Sequence, residues 1–168
     1  MLIALAGLQT ACGFHPRGVV GLPGHITPVY LDLSETDDEL GRELQASLLA
    51  SDENDLAASS TDAKTVLHIS DAQKTRRVVA VDNLGRAREY EINYQFRYEL
   101  KIAAEDNAQS EVIKAHTITL KRNLLFDPDS VLAVDYENEA LYKDMRKEAA
   151  RTVLRQLSAI KQPSSQQN

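Results

Sequence analysis

The chain has no tryptophan and a single cysteine, and aromatic residues make up only 5% of it. With so few rings, an aromatic cage or a carbohydrate-stacking platform is disfavoured. One cysteine cannot close an internal disulfide or supply a cysteine-based metal site. The four histidines, His15, His25, His68 and His116, are scattered, none at ligand spacing with another or with a carboxylate. No metal is expected. Ser59, Ser60 and Ser70 lack any Gly-x-Ser-x-Gly elbow, so nucleophilic catalysis has no support. The carboxylates of "ETDDE" read as helix capping rather than an acid–base pair. Nineteen basic residues face 25 acidic ones, a net charge of −6 that offers nucleic acid no general attraction. No apolar run approaches the roughly 20 residues of a membrane-spanning helix. These absences point to a non-enzymatic protein without a bound cofactor.

What is present begins with "LIALAGL", residues 2 to 8, followed by Thr10, Ala11, Cys12 and Gly13. An apolar run, small residues and then cysteine looks like a bacterial lipobox, where the thiolate attacks a lipid and cleavage leaves the cysteine first. On this reading residues 1–11 are the remnant of a cleaved signal peptide, and Cys12 carries the covalent lipid. Gly13 after the cysteine favours sorting to the outer membrane. Several acyl chains at about 0.8 kcal/mol per buried CH₂ would hold an otherwise soluble domain on a membrane surface. The other reading is a free cysteine in a frayed amphipathic N-terminus. Residues 13 to 28 hold four glycines and three prolines. With Cys12 they are expected to form an extended tether, 12–28.

The domain proper is expected over 29–160. "PVYLDLS" alternates Val29, Leu31 and Leu33 as a first strand. "SETDDELGRELQASLLA" opens a helix: Thr36 and Glu39 have capping-box spacing, and Leu40, Leu44 and Leu48 make its buried stripe. A strand is predicted from about Val66 to Val81, bent near Ala72–Gln73, with turn chemistry in "DNLG" at 82 to 85. In "EYEINYQFRYELKI", apolar Tyr90, Ile92, Tyr94, Phe96, Tyr98, Leu100 and Ile102 alternate with polar residues. Such alternation makes a strand with one buried and one wet face, about 45 Å long at about 3.4 Å per residue. "SEVIKAHTITLKRNLLF" adds about twelve β residues, "DPDS" breaks them, and a last helix is predicted from about Asp135 to Ile160. Its buried line is Leu141, Met145, Ala149, Val153 and Leu157, with Lys143, Arg146, Lys147, Arg151 and Arg155 mostly outside. Residues 161–168 read as a disordered tail. The order β-α-β-β-β-α implies an α+β two-layer sandwich of about four long, mostly antiparallel strands, with both helices on one face.

Basic residues gather near the hairpin: Lys74, Arg76 and Arg77 on one strand, Arg86 and Arg88 on the next. Arg86 and Arg88 share parity with Tyr90 and Ile92 and so extend the apolar face. A cationic rim beside an apolar slot suits a phosphorylated amphiphile, since Arg grips phosphate bidentately. Equally, the cluster reads as a solvated strand end that resists edge pairing. Lys121 and Arg122 form a second, weaker cluster. The wet residues Glu91, Asn93, Gln95 and Arg97 leave a polar face available for contact with a partner.

Three stretches, "ACGFHPRG", "GRAREYEINYQFRYEL" and "KRNLLFDPDSVLAVDYENEALYKDMRKEAARTVLRQLSAI", together resemble the lipopolysaccharide-assembly lipoprotein family LptE, also called RlpB. The resemblance runs from Cys12 to about Ile160. It implies a periplasm-facing lipoprotein in the inner leaflet of the outer membrane of a Gram-negative bacterium. Its implied partner is the outer-membrane barrel LptD, which it would plug and help to assemble, with the wet residues Glu91, Asn93, Gln95 and Arg97 as the candidate contact with the polar barrel lumen. Its implied ligand is lipopolysaccharide. The alternative is a periplasm-facing lipoprotein that binds another envelope protein or amphiphile.

Overall fold

In the computed structural model of the chain, residues 21–35, 38–51, 55–103, 111–126 and 131–161 are described. Cys12, the signal remnant, the Thr36 cap, the "EDNAQ" turn, the "DPDS" break and the tail from 162 lie outside them. Period-two and period-3.6 patterns fold as their spacing dictates. The elements are β1 (Val29–Asp32), α1 (Asp38–Ser51), β2 (Thr65–Val81), β3 (Ala87–Ile102), β4 (Glu111–Leu125) and α2 (Val131–Ser158). One sheet has the order β1-β2-β3-β4. β1 runs parallel to β2, with α1 as the crossover such a pair requires. β2–β3 and β3–β4 are antiparallel.

The inward residues of β3, Ile92, Tyr94, Phe96, Tyr98 and Leu100, are all buried. They join Leu40, Leu44 and Leu48 of α1 and Met145, Ala149, Val153 and Leu157 of α2 in one core. Burial of each large apolar side chain favours the fold by about 1.5–3 kcal/mol. Gly41 lets α1 settle on the end of β1: a Cβ there would lie 2.6 Å from a Leu33 methyl.

Four details depart from the sequence reading. α2 begins at Val131 rather than Asp135, because past Pro128 nothing interrupts helical hydrogen bonding. β4 runs 15 residues rather than about twelve. The proposed tether does not stay extended to residue 28. Ile26 is fully buried in the core, and Lys64 Nζ donates to Gly24 O at 2.9 Å. Arg146, expected outside, is 3% exposed. It follows Met145 and lies one turn past the buried Tyr142, so it points between the helices instead of into water.

Candidate binding and docking surfaces

A kink divides β2. Pairing with β3 shifts register between Ser70 and Gln73, and Asp71 sits there at φ +54°. Before the kink β2 is core, with Thr65, Leu67, Ile69 and Ser70 buried; after it, almost every residue is exposed. The new register places Lys74, Arg76 and Val78 opposite Tyr94, Ile92 and Tyr90 on the helix side, and Thr75 and Arg77 opposite Asn93 and Glu91 on the open side. The basic cluster expected as one rim is therefore shared between two faces. Two further shifts, around Ala80, break the simple parity by which Arg86 and Arg88 would extend the apolar face.

The hairpin closes on a three-residue loop. Asp82 N donates to Arg86 O at 2.8 Å, and Gly85, at φ +77°, takes the left-handed conformation a glycine tolerates. Asp82 Oδ1 accepts from the amides of Leu84 and Arg86, each at 2.9 Å. The Arg86 amide, then its guanidinium and the Leu84 amide, hold this carboxyl below the usual carboxylate range. Arg86 is thereby committed to the turn.

The other cations differ in engagement. Lys74 Nζ lies 3.6 Å from Glu39 and 5.5 Å from the Tyr142 ring centroid. Arg77 grips Glu91 with Nε and Nη2 at 2.8 and 3.2 Å. Lys121 reaches the same Glu91 at 3.9 Å, and Arg122, across the sheet plane from Lys121, pairs with Glu148 of α2. Arg76 stacks over the Tyr90 ring at 4.7 Å, while the far side of this aromatic cluster is Phe126, edge-on to Tyr90 at 5.4 Å. Among the described residues neither Arg76 nor Arg88 has an ion-pair partner. Beside these two guanidiniums, Val78, Val79, Val81 and Leu84 are 48, 42, 59 and 78% exposed.

A charged node that sequence reasoning missed joins α1, α2 and β2. Arg146 Nη1 lies 2.7 Å from Glu39 Oε2, an ion pair without hydrogen-bond alignment, and Nη2 donates to Glu139 at 2.8 Å. The Tyr142 hydroxyl reaches Thr75 O at 3.5 Å, and burial pushes its pKa up. The signal was available: Arg146 stands at helical spacing between buried Tyr142 and Ala149.

The open face carries Glu91, Asn93, Gln95 and Arg97 in a row, as their parity requires. Glu91, Asn93 and Gln95, flanked by Thr75, Arg76, Arg77, Thr119 and Lys121, line a shallow depression of about 420 Å³. Cross-strand pairs stitch it: Asn93 Nδ2 to Thr75 and Thr119 to Gln95, both at 3.3 Å, and Asn123 Nδ2 to Glu89 at 2.7 Å. Arg97 lies 3.9 Å from Asp71. Arg77 holds the Glu91 carboxyl below its ordinary value. The Asn93 Oδ1 is buried without a hydrogen-bond partner, an acceptor left for an incoming donor. His68 bonds Asp32 at 2.9 Å and His116 stacks on Tyr98, so both histidines within strands have structural partners. No group of metal-ligating side chains assembles among the described residues.

A family model described as LptE, lipopolysaccharide-assembly, matches residues 26–157. The LPS-assembly lipoprotein LptE of Photorhabdus laumondii is 29% identical over 161 residues, 95% of this chain and 85% of that protein. Its counterpart in Pectobacterium atrosepticum is 27% identical over 95% of this chain and 84% of its own length. The solution structure of lipoprotein B from Nitrosomonas europaea superposes with a TM-score of 0.67 at 30% identity, covering 88% of this chain and 91% of that one. The crystal structure of rare lipoprotein B from Shewanella oneidensis shares the fold, with a TM-score of 0.64 at 23% identity over 78% and 93% of the two chains.

Proposed function

Because this chain belongs to the LptE lipopolysaccharide-assembly family, a family of accessory lipoproteins rather than enzymes, we propose that it binds lipopolysaccharide and plugs the LptD barrel. In this reading Cys12 is acylated and holds the domain on the inner leaflet of the outer membrane, facing the periplasm. The free end of the β2–β3 hairpin takes the ligand. The observation that carries this is the pairing, at that end, of exposed valines and Leu84 with the guanidiniums of Arg76, stacked on Tyr90, and Arg88, neither of which has an ion-pair partner among the described residues. Lipid A phosphates would meet the two arginines, and the first methylenes of its acyl chains would meet the apolar side chains. Lys74, Arg77, Arg86, Lys121 and Arg122, each already facing a carboxylate, would contribute field rather than direct grip.

The open face would meet the polar barrel lumen through Glu91, Asn93, Gln95 and Arg97, with the orphan Asn93 oxygen accepting from the wall. The test is direct binding of lipopolysaccharide to the full chain. Arg76→Ala with Arg88→Ala should weaken binding about tenfold or more, at about 1.4 kcal/mol per decade, with an unchanged urea midpoint. Equal affinity in the double variant overturns the ligand site. Charge reversal at Glu91 and Arg97 that left barrel assembly intact would overturn the plugging face.

A further inference from the structure

At the opposite margin of the sheet, β4 is the last strand, and its outer edge has no strand partner among the described residues. A groove of about 480 Å³ runs along its distal end, between β4 and α2. Asn123, Leu124 and Leu125 form the strand wall. Glu137, Ala140, Leu141 and Asp144 form the helix wall, at the i, i+3, i+4, i+7 spacing that puts them on one stripe. Leu124 is buried beneath the sheet, whereas Leu125 is 76% exposed on the other side of the strand. The groove therefore wraps around the edge. Neither Glu137 nor Asp144 has an ion-pair partner among the described residues, and no cation lines the groove.

Three features select the occupant. An open strand edge presents main-chain N–H and C=O groups, which an extended polypeptide satisfies and a lipid does not. Two uncompensated carboxylates repel an anionic amphiphile and attract lysine or arginine. A second copy of this chain, paired edge to edge about a two-fold axis, would bring the same carboxylates against each other. We infer that the β4 edge and this groove receive an extended segment of the barrel partner. That segment adds main-chain hydrogen bonds to β4, sets an apolar side chain beside exposed Leu125 on the open face, and on the helix side sets a basic side chain between Glu137 and Asp144. The inference rests on the barrel reading given above and deepens it by naming the contact surface.

The experiment uses the full chain co-expressed with LptD, with a photo-cross-linking residue at Leu125 and, as control, at exposed Arg151 on α2. The expected result is a cross-link from position 125, and not from 151, to an LptD segment of alternating apolar residues with a nearby lysine or arginine. Glu137→Lys with Asp144→Lys, both on exposed positions, should lower complex yield about tenfold, with reversal of that basic residue in LptD restoring it. A complex that forms normally without a cross-link from 125 overturns this surface and leaves the barrel reading standing, as does a cross-link to a second copy of the chain. Failure of the wild-type chain to form any complex with LptD overturns both.

Discussion

The two halves of β2 have similar β propensity and opposite fates. From Thr65 to Ser70 the strand is flanked by β1 and β3 and roofed by helices, and its inward side chains are sealed. From Gln73 to Val81 it keeps β3 on one side, β1 has ended, and even Val78, Val79 and Val81 face water. What separates them is the kink at Asp71 and the reach of α1, since a strand buries only what another layer covers. The first half carries stability. The second is left with apolar and cationic surface that folding does not consume, the material from which recognition is built.

The sharpest way to break this contrast is to truncate one large side chain in each half of the β2–β3 pair. Leu100→Ala, opposite Leu67 in the sealed region, should destabilise by about 2–5 kcal/mol, whereas Val81→Ala should stay within about 0.5 kcal/mol by urea denaturation. Similar losses at both sites would mean that the free end is packed after all. Next in size is the node that ties the two halves to the helices. Arg146→Met should cost about 2–3 kcal/mol, below the usual figure for a broken buried pair because Glu39 and Glu139 keep water contact. A urea midpoint at the wild-type value would show that the node is ornamental to stability. At the hairpin loop, Gly85→Ala should cost about 1 kcal/mol, the penalty for an L side chain in the left-handed region. Loss of the hydrogen bonds from the Leu84 and Arg86 amides to the Asp82 carboxylate in NMR spectra would report it locally.

The smallest effect is electrostatic. Ser34 and then His68 lower the Asp32 carboxyl, the Arg86 amide lowers Asp82, and Arg77 lowers Glu91. A lowered folded-state pKa means that the unfolded chain binds protons first as pH falls. The stability these groups contribute is thus present above their ordinary values, 3.8 for the aspartates and 4.5 for Glu91, and is lost on acidification below them. The urea midpoint should drop between pH 5 and pH 3. Asp32→Asn should flatten that drop at the proximal end and Glu91→Gln at the distal end. An unaltered slope in both variants would refute the assignment.

Much of this was legible in the chain. The fourteen-residue alternation around Tyr94 defined β3 and its two faces, and Leu40, Leu44 and Leu48 announced the buried stripe of α1. The bend in β2 and the turn at Gly85 followed from local residue chemistry. The candidate site was legible only in part. Arg76 and Arg77 are adjacent in the sequence yet fall on opposite faces, and a one-residue register shift between Ser70 and Gln73 decides what each one meets. Arg146 was misassigned because a charged residue on a helix is usually outside; Glu39 arriving from α1, with Glu139 on its own helix, makes its burial tolerable. The fold of Ile26 into the core was hidden beneath a glycine- and proline-rich composition that otherwise reads as tether.

The order of elements and the face each one buries follow from the linear pattern, because periodicity is a local property that every residue carries wherever the chain goes. Which cations lack an ion-pair partner and which strand edge lies open among the described residues were decided by tertiary structure. Both depend on where the helices stop covering the sheet, and on carboxylates such as Glu39, Glu91 and Glu148 that arrive from distant segments.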